Sequence, residues 1–107
     1  MFLMPSRYEP CGLGQLISFK YSTVPIARKT GGLADTISEY NSQTEEGSGF
    51  LFDDCVSSHL LDAIKRSVNA YNNKEKWLKL IKKIAGFNFS WNESAKEYEK
   101  IYTKVSN

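Results

Sequence analysis

The sequence predicts an α/β protein with about three parallel strands, flanking helices and a helical C-terminal part. Apolar or β-branched runs of strand length occupy residues 1–4, 24–27 and 49–52. A segment long enough for one short helix separates the first two runs, which is typical of a βαβ unit with a right-handed crossover. From residue 56 onward, apolar residues recur at helical spacing.

The first half of the chain predicts a strand-loop-helix-strand unit. The apolar run over 2–4 is typical of a strand buried on both faces of a parallel sheet. The loop over 5–11 leads into a helix predicted over 13–21, and a β-branched strand follows at 24–27. The predicted apolar face of that helix consists of Leu13, Leu16, Ile17 and Tyr21. A glycine-containing turn over 30–35 then leads toward a short helical or extended piece.

The second half of the chain predicts a third strand and three helices. The polar segment 41–48 predicts an exposed loop before the strand at 49–52. Ser90 and Glu93 have the spacing of a capping box at the start of the last helix. The apolar residues at helical spacing are Leu60, Ile64, Val68 and Tyr71, then Trp77, Leu80, Ile81 and Ile84 in a helix ending near Gly86, then Trp91, Ala95, Tyr98, Tyr102 and Val105.

The composition indicates a soluble domain. The 107 residues are 41% hydrophobic and 24% charged, with a net charge of +2, which does not favour a nucleic-acid partner. No window approaches the roughly 18 apolar residues of a membrane span, and no signal peptide is visible. Cys11 and Cys55 lack the spacing of a metal site or a disulfide framework, which favours a reducing, intracellular compartment. Three strands make a small sheet, so we expect a piece of a larger protein.

Glu9 is the first candidate functional residue. In open α/β sheets, ligands bind beyond the carboxyl ends of the strands, and Glu9 lies in the loop after the first strand. Pro10 disfavours a helical conformation at Glu9. The carboxylate could accept hydrogen bonds from adjacent sugar hydroxyls, or it could cap the helix that follows.

Glycines surround this candidate site. Gly12, Leu13 and Gly14 open the helix with little side-chain cover, which suits either a diphosphate or an ordinary turn. The segment Thr30-Gly31-Gly32 allows close backbone approach to a ligand or simply makes a turn.

Cys11 lies beside Glu9, but nucleophilic catalysis would need a base, and the single histidine, His59, lies far along the chain. We therefore expect a packed or ligand-touching thiol. Arg28, Lys29 and the lysines over 79–83 are expected on solvated faces.

Taken together, these motifs resemble one enzyme family over essentially the whole chain. The motifs are Glu9-Pro10-Cys11-Gly12-Leu13, Gln15-Leu16, Tyr21, Thr23-Val24-Pro25-Ile26, Arg28, Thr30-Gly31-Gly32-Leu33, Asp35-Thr36, Gly49-Phe50 and Phe89-Ser90-Trp91. Their order and spacing resemble the C-terminal half-domain of bacterial glycogen synthases and plant starch synthases.

The resemblance implies a fold and a reaction. The fold is the second half of a Rossmann-like GT-B C-terminal domain, with a βαβ donor-site unit at about 1–54 and a helical tail at about 56–107. The reaction transfers glucose, with retention, from ADP-glucose to the non-reducing end of an α-1,4-glucan. No cofactor and no metal are implied. The implied partners are the nucleotide sugar, the glucan and the missing N-terminal domain of the same enzyme, in a bacterial cytoplasm or a plastid stroma.

The resemblance also implies residue roles. Glu9 would hold the hydroxyls of the transferred glucose. The backbone of Gly12, Leu13 and Gly14 would face the sugar and diphosphate, with Cys11 lining the same pocket. The turn at Thr30, Gly31 and Gly32 would pack nearby.

The sequence departs from the family at three positions. Gly14 replaces a frequent threonine, Ser22 replaces a common glycine, and Ile17 stands where related glycosyltransferases outside the synthase branch carry a second glutamate. By this resemblance the chain is expected to be inactive alone. An alternative is a non-catalytic module that binds nucleotide sugar or a partner subunit.

Overall fold

A computed structural model describes residues 1–106. Three short strands, β1 (Phe2–Met4), β2 (Pro25–Arg28) and β3 (Phe50–Phe52), form a parallel sheet in the order β1-β2-β3. Phe2 lies opposite Pro25, and Ile26 lies opposite Phe50. The predicted parallel α/β architecture is confirmed, and the carboxyl ends of all three strands lie at one edge.

Residues 1–106 also form five helices. They are α1 (Gly14–Lys20), α2 (Gly31–Thr36), α3 (Ser57–Tyr71), α4 (Lys74–Ala85) and α5 (Trp91–Ser106). The glycine-containing segment after β2 therefore forms a short helix. Helix α3 packs on β2 and β3, and α4 packs on α1 and α3, whereas α5 contacts none of the other helices or strands of the described chain.

The core lies between the sheet and helices α1 to α4. Its largest fully buried apolar side chains are Phe19, Val24, Pro25, Ile26, Leu33, Leu80 and Ile84. Burying an apolar side chain of this size stabilises the fold by about 1.5–3 kcal/mol. This core fixes α1 and α2 against the sheet, and so it fixes the two segments that begin at the carboxyl edge of β1 and β2.

The prediction that β1 is buried on both faces is wrong for the described chain. Met4 is buried, but Phe2 and Leu3 are 41% and 50% exposed. The reason is topological: β1 is an edge strand with only β2 as its neighbour. An apolar run indicates a strand, but the number of its neighbours depends on the rest of the fold.

The predicted apolar face of α1 is also wrong. Leu16 packs against the core, but Leu13, Ile17 and Tyr21 are exposed. The buried residues of α1 are Gln15, Ser18 and Phe19. The ring centroids of Phe19 and Phe87 lie 5.2 Å apart, and the two rings pack edge to face. This contact anchors α1 to the segment after α4.

The predicted apolar face is buried in α4, whereas two of the residues predicted for the apolar face of α3 are exposed. In α4, the predicted burial of Trp77, Leu80 and Ile84 is confirmed, and Gly86 follows the last helical residue as predicted. In α3, Val68 and Tyr71 are exposed, and the fully buried positions are Ala63 and Ser67. Small side chains occupy these positions where α3 lies close to the sheet and to α4.

Only one of the two hydrogen bonds of the predicted capping box forms at the start of α5. The Ser90 Oγ accepts a long hydrogen bond of 3.4 Å from the backbone N–H of Glu93. The Glu93 carboxylate does not reach back to Ser90, because it pairs with Lys96 at 2.9 Å. The backbone N–H of Ser90 donates instead to the side chain of Asn88.

The loop over 41–48 is largely exposed, as predicted, but two lysines of α4 hold it in place. Lys76 Nζ donates to the carbonyl of Ser42 at 2.6 Å, and Lys83 Nζ donates to the carbonyl of Glu45 at 2.7 Å. The solvated face expected for the lysines over 79–83 is therefore found only in part, since Lys83 is half-buried. Ser48, at the end of the loop, is buried, and its hydroxyl accepts a hydrogen bond from the backbone of Ser38.

Candidate functional site at the carboxyl edge of the sheet

The loop after β1 and the start of α2 meet at the carboxyl edge of the sheet. The backbone N–H of Gly32 donates to the carbonyl of Glu9 at 2.9 Å. A Cβ placed on Gly31 would lie 2.1 Å from the same Glu9 oxygen, and one placed on Gly32 would lie 1.9 Å from the carbonyl oxygen of Cys11. Gly31 also has a φ of +46°. Only glycines permit this contact, so the segment from Thr30 to Gly32 fastens the Glu9 loop to the sheet.

The side chain of Glu9 is half-buried and makes no hydrogen bond or ion pair within residues 1–106. Leu13, the N-cap residue of α1, makes no side-chain capping bond, and Glu9 does not cap the helix either. Of the two roles left open by the sequence, the geometry favours a carboxylate that is available to a ligand.

Gly12 bends the loop beside Glu9. Its φ is +70°, and a Cβ at this position would lie 3.0 Å from the Cγ of Glu9 and 2.6 Å from the Oε1 of Gln15. A residue other than glycine would be strained and would displace both side chains. Leu13 follows with its side chain 69% exposed.

Gly14 has a packing role that the sequence did not indicate. A Cβ on Gly14 would lie 3.0 Å from the terminal methyl carbon of Met4. The missing side chain therefore gives the buried Met4 room to pack against the first turn of α1.

Gln15 supports the candidate site, a role that the sequence did not indicate. It is fully buried, and its Nε2 lies 3.0 Å from the carbonyl of Cys11, 3.1 Å from that of Gly12 and 3.2 Å from the hydroxyl of Thr36. The Thr36 hydroxyl in turn donates to the carbonyl of Gly32 at 2.7 Å. Two signals were available: Gln15-Leu16 is one of the motifs of the family resemblance, and Gln15 follows Cys11 and Gly12 by four and three residues.

Arg28 is a second such residue: it is partly exposed, as the expected solvated face implies, but its guanidinium makes contacts that the sequence did not indicate. It is the last residue of the central strand, β2. Its guanidinium donates to the carbonyl of Arg7 and, at 3.1 Å, to that of Asp53. Arg28 therefore joins the loop after β1 to the loop after β3.

Cys11 and His59 do not form a catalytic pair. Cys11 is an exposed free thiol in the Glu9 loop. His59 lies in the first turn of α3, and its Nδ1 is 3.6 Å from a carboxylate oxygen of Asp54.

Within residues 1–106, no three acidic, histidine or cysteine side chains are grouped to hold a metal ion. The helices of the same residues are all too short or too polar to cross a lipid bilayer.

These features define a class: an α/β protein with a candidate ligand site at the carboxyl edge of a parallel sheet. An available carboxylate stands there beside bent, glycine-rich backbone.

Comparisons with known proteins narrow this class. The chain is 56% identical over 105 residues to a glycogen synthase of Fervidobacterium nodosum, and 51% identical over 105 residues to one of Geotalea daltonii; each match covers 98% of the chain and 22% of the relative. The catalytic domain of starch synthase IV from Arabidopsis thaliana, bound to ADP and acarbose, matches 100% of the chain and 23% of that domain, with a TM-score of 0.85 and 40% identity. No protein-family model matches the chain.

The chain is therefore homologous, over its whole length, to a segment of the glycogen and starch synthases. It spans about a fifth of the length of the curated relatives it matches. The family resemblance and the α/β fold of a GT-B C-terminal domain fragment are both confirmed. The division into a donor-site unit and a helical tail stays a prediction.

Proposed function

We propose that this chain supplies the donor-sugar half of the active site of a retaining glucosyltransferase. The reaction would move glucose from ADP-glucose to the non-reducing end of an α-1,4-glucan. The observation that carries the proposal is Glu9: its backbone is held at the carboxyl edge of the sheet, and its carboxylate has no hydrogen-bond or ion-pair partner among residues 1–106. The homology to glycogen synthases supports the choice of reaction.

In this proposal Glu9 positions the transferred glucose. An ionised carboxylate accepts several hydrogen bonds, so it can hold two adjacent sugar hydroxyls at once. Glu9 would orient the sugar for reaction without attacking it. The loop that carries Glu9 is held by Gly32 and by Arg28, so the backbone at Glu9 is in place before the sugar binds.

The loop backbone from Cys11 to Gly14 would face the sugar and the diphosphate. Backbone N–H groups aimed at a leaving diphosphate stabilise the negative charge that develops on it during transfer. Cys11, being exposed in this loop, would line the same pocket. Thr30, Gly31 and Gly32 would support the pocket from α2.

The complete site would draw on segments beyond these 107 residues. The glucan, the adenine and part of the diphosphate would be bound by the remaining four fifths of a synthase of the relatives' length, including an N-terminal domain. The isolated chain would therefore bind a donor without transferring glucose. We place the reaction in the bacterial cytoplasm, or in the plastid stroma for a plant or algal protein.

A second candidate function is a non-catalytic interaction module. It is favoured by α5, which contacts no other element and exposes Trp91, Tyr98 and Tyr102. The two candidates differ at Glu9, because an interaction module needs no sugar-dependent binding there.

Nuclear magnetic resonance of the isotope-labelled chain tests the proposal. We expect saturable amide shifts from Glu9 to Leu13 on titration with ADP-glucose, with smaller changes for ADP. Glu9→Gln should weaken ADP-glucose binding at least tenfold, about 1.4 kcal/mol, and leave ADP binding nearly unchanged. The matched control is Glu46→Gln, an exposed acid in the 41–48 loop.

Two outcomes would count against the proposal. A folded chain without saturable shifts would show that the segment holds no donor half-site of its own. Equal effects of Glu9→Gln on ADP and ADP-glucose would show that the carboxylate does not act on the sugar.

A further inference from the structure

Gln15 lies directly beneath the loop that the proposed function assigns to the ligand. We infer that Gln15 is a positioning residue: its carboxamide orients the peptide groups of the loop so that the N–H groups of Gly12 and Leu13 face the diphosphate of the bound nucleotide sugar. This inference rests on the proposed function for the identity of the ligand. The orientation itself rests on contacts within this chain.

The orientation follows from peptide geometry. Nε2 of Gln15 binds the carbonyls of Cys11 and Gly12 together, so both carbonyl groups point inward. All peptide bonds described are trans, and in a trans peptide the N–H of the next residue points opposite to the carbonyl. The N–H groups of Gly12 and Leu13 therefore point away from Gln15. Within residues 1–106, neither of them donates to a protein acceptor.

The hydrogen bonds also determine which way the Gln15 amide faces. The Thr36 hydroxyl donates its proton to the carbonyl of Gly32, so it can only accept from Gln15. All three Gln15 contacts are thus acceptors, so the NH₂ group faces them and its two protons are shared among the three. The opposite orientation would place Oε1 against two carbonyl oxygens.

Oε1 is left buried without a hydrogen-bond partner in the described residues, and it faces Gly12. An unsatisfied buried acceptor destabilises the folded state. The cost is offset by the two loop carbonyls that Nε2 satisfies, which would otherwise lack a donor. A substituent on Gly12 would collide with Oε1 at 2.6 Å, so the glycine and the glutamine depend on each other.

Gln15 also connects the loop amides to the carboxylate. Its NH₂ reaches Thr36, Thr36 binds the carbonyl of Gly32, and the N–H of Gly32 binds the carbonyl of Glu9. One side chain therefore sets the direction of the two N–H groups and is linked to the turn that holds Glu9. Because Gln15 is fully buried, it acts on the ligand only through these neighbours.

The test compares Gln15→Met with Ser18→Ala. Methionine has a similar length and no donor. Ser18 is a matched control, since it is buried in the same helix and its hydroxyl donates to the carbonyl of Gln15 at 2.7 Å. Residual dipolar couplings of the ligand-free chain report the direction of each backbone N–H. Titration with ADP reports the binding that these N–H groups support.

We expect Gln15→Met to change the couplings of Gly12 and Leu13 while those of the sheet stay constant, and to weaken ADP binding at least tenfold. Ser18→Ala should leave both couplings unchanged and alter ADP binding less than twofold. If Gln15→Met does not fold, Thr36→Val removes one Gln15 contact and is expected to tilt the same two N–H groups with a smaller loss of affinity.

Unchanged couplings in the folded Gln15 variant, or in Thr36→Val where that variant is used, would overturn the inference. Equal changes in Gln15→Met and Ser18→Ala would also overturn it, since they would reveal general damage to α1. A wild-type chain that binds no ADP-glucose would instead contradict the proposed function, and the coupling measurement would still decide the role of Gln15.

Discussion

Replacing Gly32 by alanine tests whether close backbone contact holds the candidate site together. The alanine Cβ would lie 1.9 Å from the carbonyl oxygen and 2.5 Å from the carbonyl carbon of Cys11. Nonbonded atoms of this kind pack at about 3.5 Å, so the loop must retreat by roughly 1.5 Å. Both atoms belong to the backbone, so no flexible side chain can absorb the change. The movement would also break the hydrogen bond from Gly32 to Glu9.

The expected change in the free energy of unfolding is the sum of opposing effects. Overpacking costs about 1–3 kcal/mol, and the lost hydrogen bond costs about 1 kcal/mol. Alanine inside a helix recovers up to about 1 kcal/mol relative to glycine. We therefore expect Gly32→Ala to lower the free energy of unfolding by about 2 kcal/mol.

Urea unfolding followed by tryptophan fluorescence measures this change, because Trp77 is buried and becomes exposed on unfolding. Gly86→Ala is the matched control: its φ is −83°, and its Cβ would meet nothing closer than 3.4 Å. The control should be neutral, or stabilising by up to about 1 kcal/mol. The reasoning is refuted if the two variants have equal stability, or if the amide shifts of Gly32→Ala do not centre on Glu9 to Cys11.

Three further predictions concern the scaffold. Leu80→Ala, at a position only 1% exposed, should cost about 2–5 kcal/mol in urea unfolding, whereas Leu78→Ala, 52% exposed, should stay within about 0.5 kcal/mol; similar losses would contradict the assigned core. Arg28→Met should speed amide hydrogen exchange in both loops that the guanidinium joins, and faster exchange in only one loop would contradict the bridging role. Burial, and then the nearby Glu45 carboxylate, raise the pKa of Tyr40 above its ordinary value. The stabilisation linked to that shift is complete below about pH 10, and it is lost as the pH rises through the folded-state pKa. The free energy of unfolding of Tyr40→Phe should therefore fall less above pH 10 than that of the wild type. Identical dependence on pH in the two proteins would contradict the raised pKa of Tyr40.

The parallel strands and most helices could be predicted because their signals are local. Apolar runs of strand length, helical periodicity in α4 and the glycine after it all act over a few residues. Burial was predicted less well, because it depends on what lies opposite each face. Leu13 and Ile17 have helical spacing, yet no element of residues 1–106 covers them, whereas Phe19 is buried by Phe87 and Phe89 from far along the chain.

The candidate site likewise has residues that the sequence predicts and residues that only the fold reveals. The chain positions of Glu9 and of the glycines predicted where the candidate site lies, since a carboxylate after a strand and glycines at a turn are visible in the sequence; that a ligand binds there stays a prediction. Gln15 and Arg28 could not be predicted to support it, because each binds backbone carbonyls whose directions are set by the fold. No periodicity or composition signals such a contact.

A transfer assay on a grafted enzyme tests the central claim most directly. Residues 1–107 would replace the matching segment of the Fervidobacterium nodosum glycogen synthase, to which the chain is 56% identical. Glucose transfer from ADP-glucose to an α-1,4-glucan would then be measured. We predict that the graft transfers glucose, that Glu9→Gln within it lowers kcat/KM by about 100-fold or more, and that Glu46→Gln leaves it unchanged. A folded graft without transfer activity, or one whose activity survives Glu9→Gln, would contradict the claim that this chain supplies the donor-sugar half of the site.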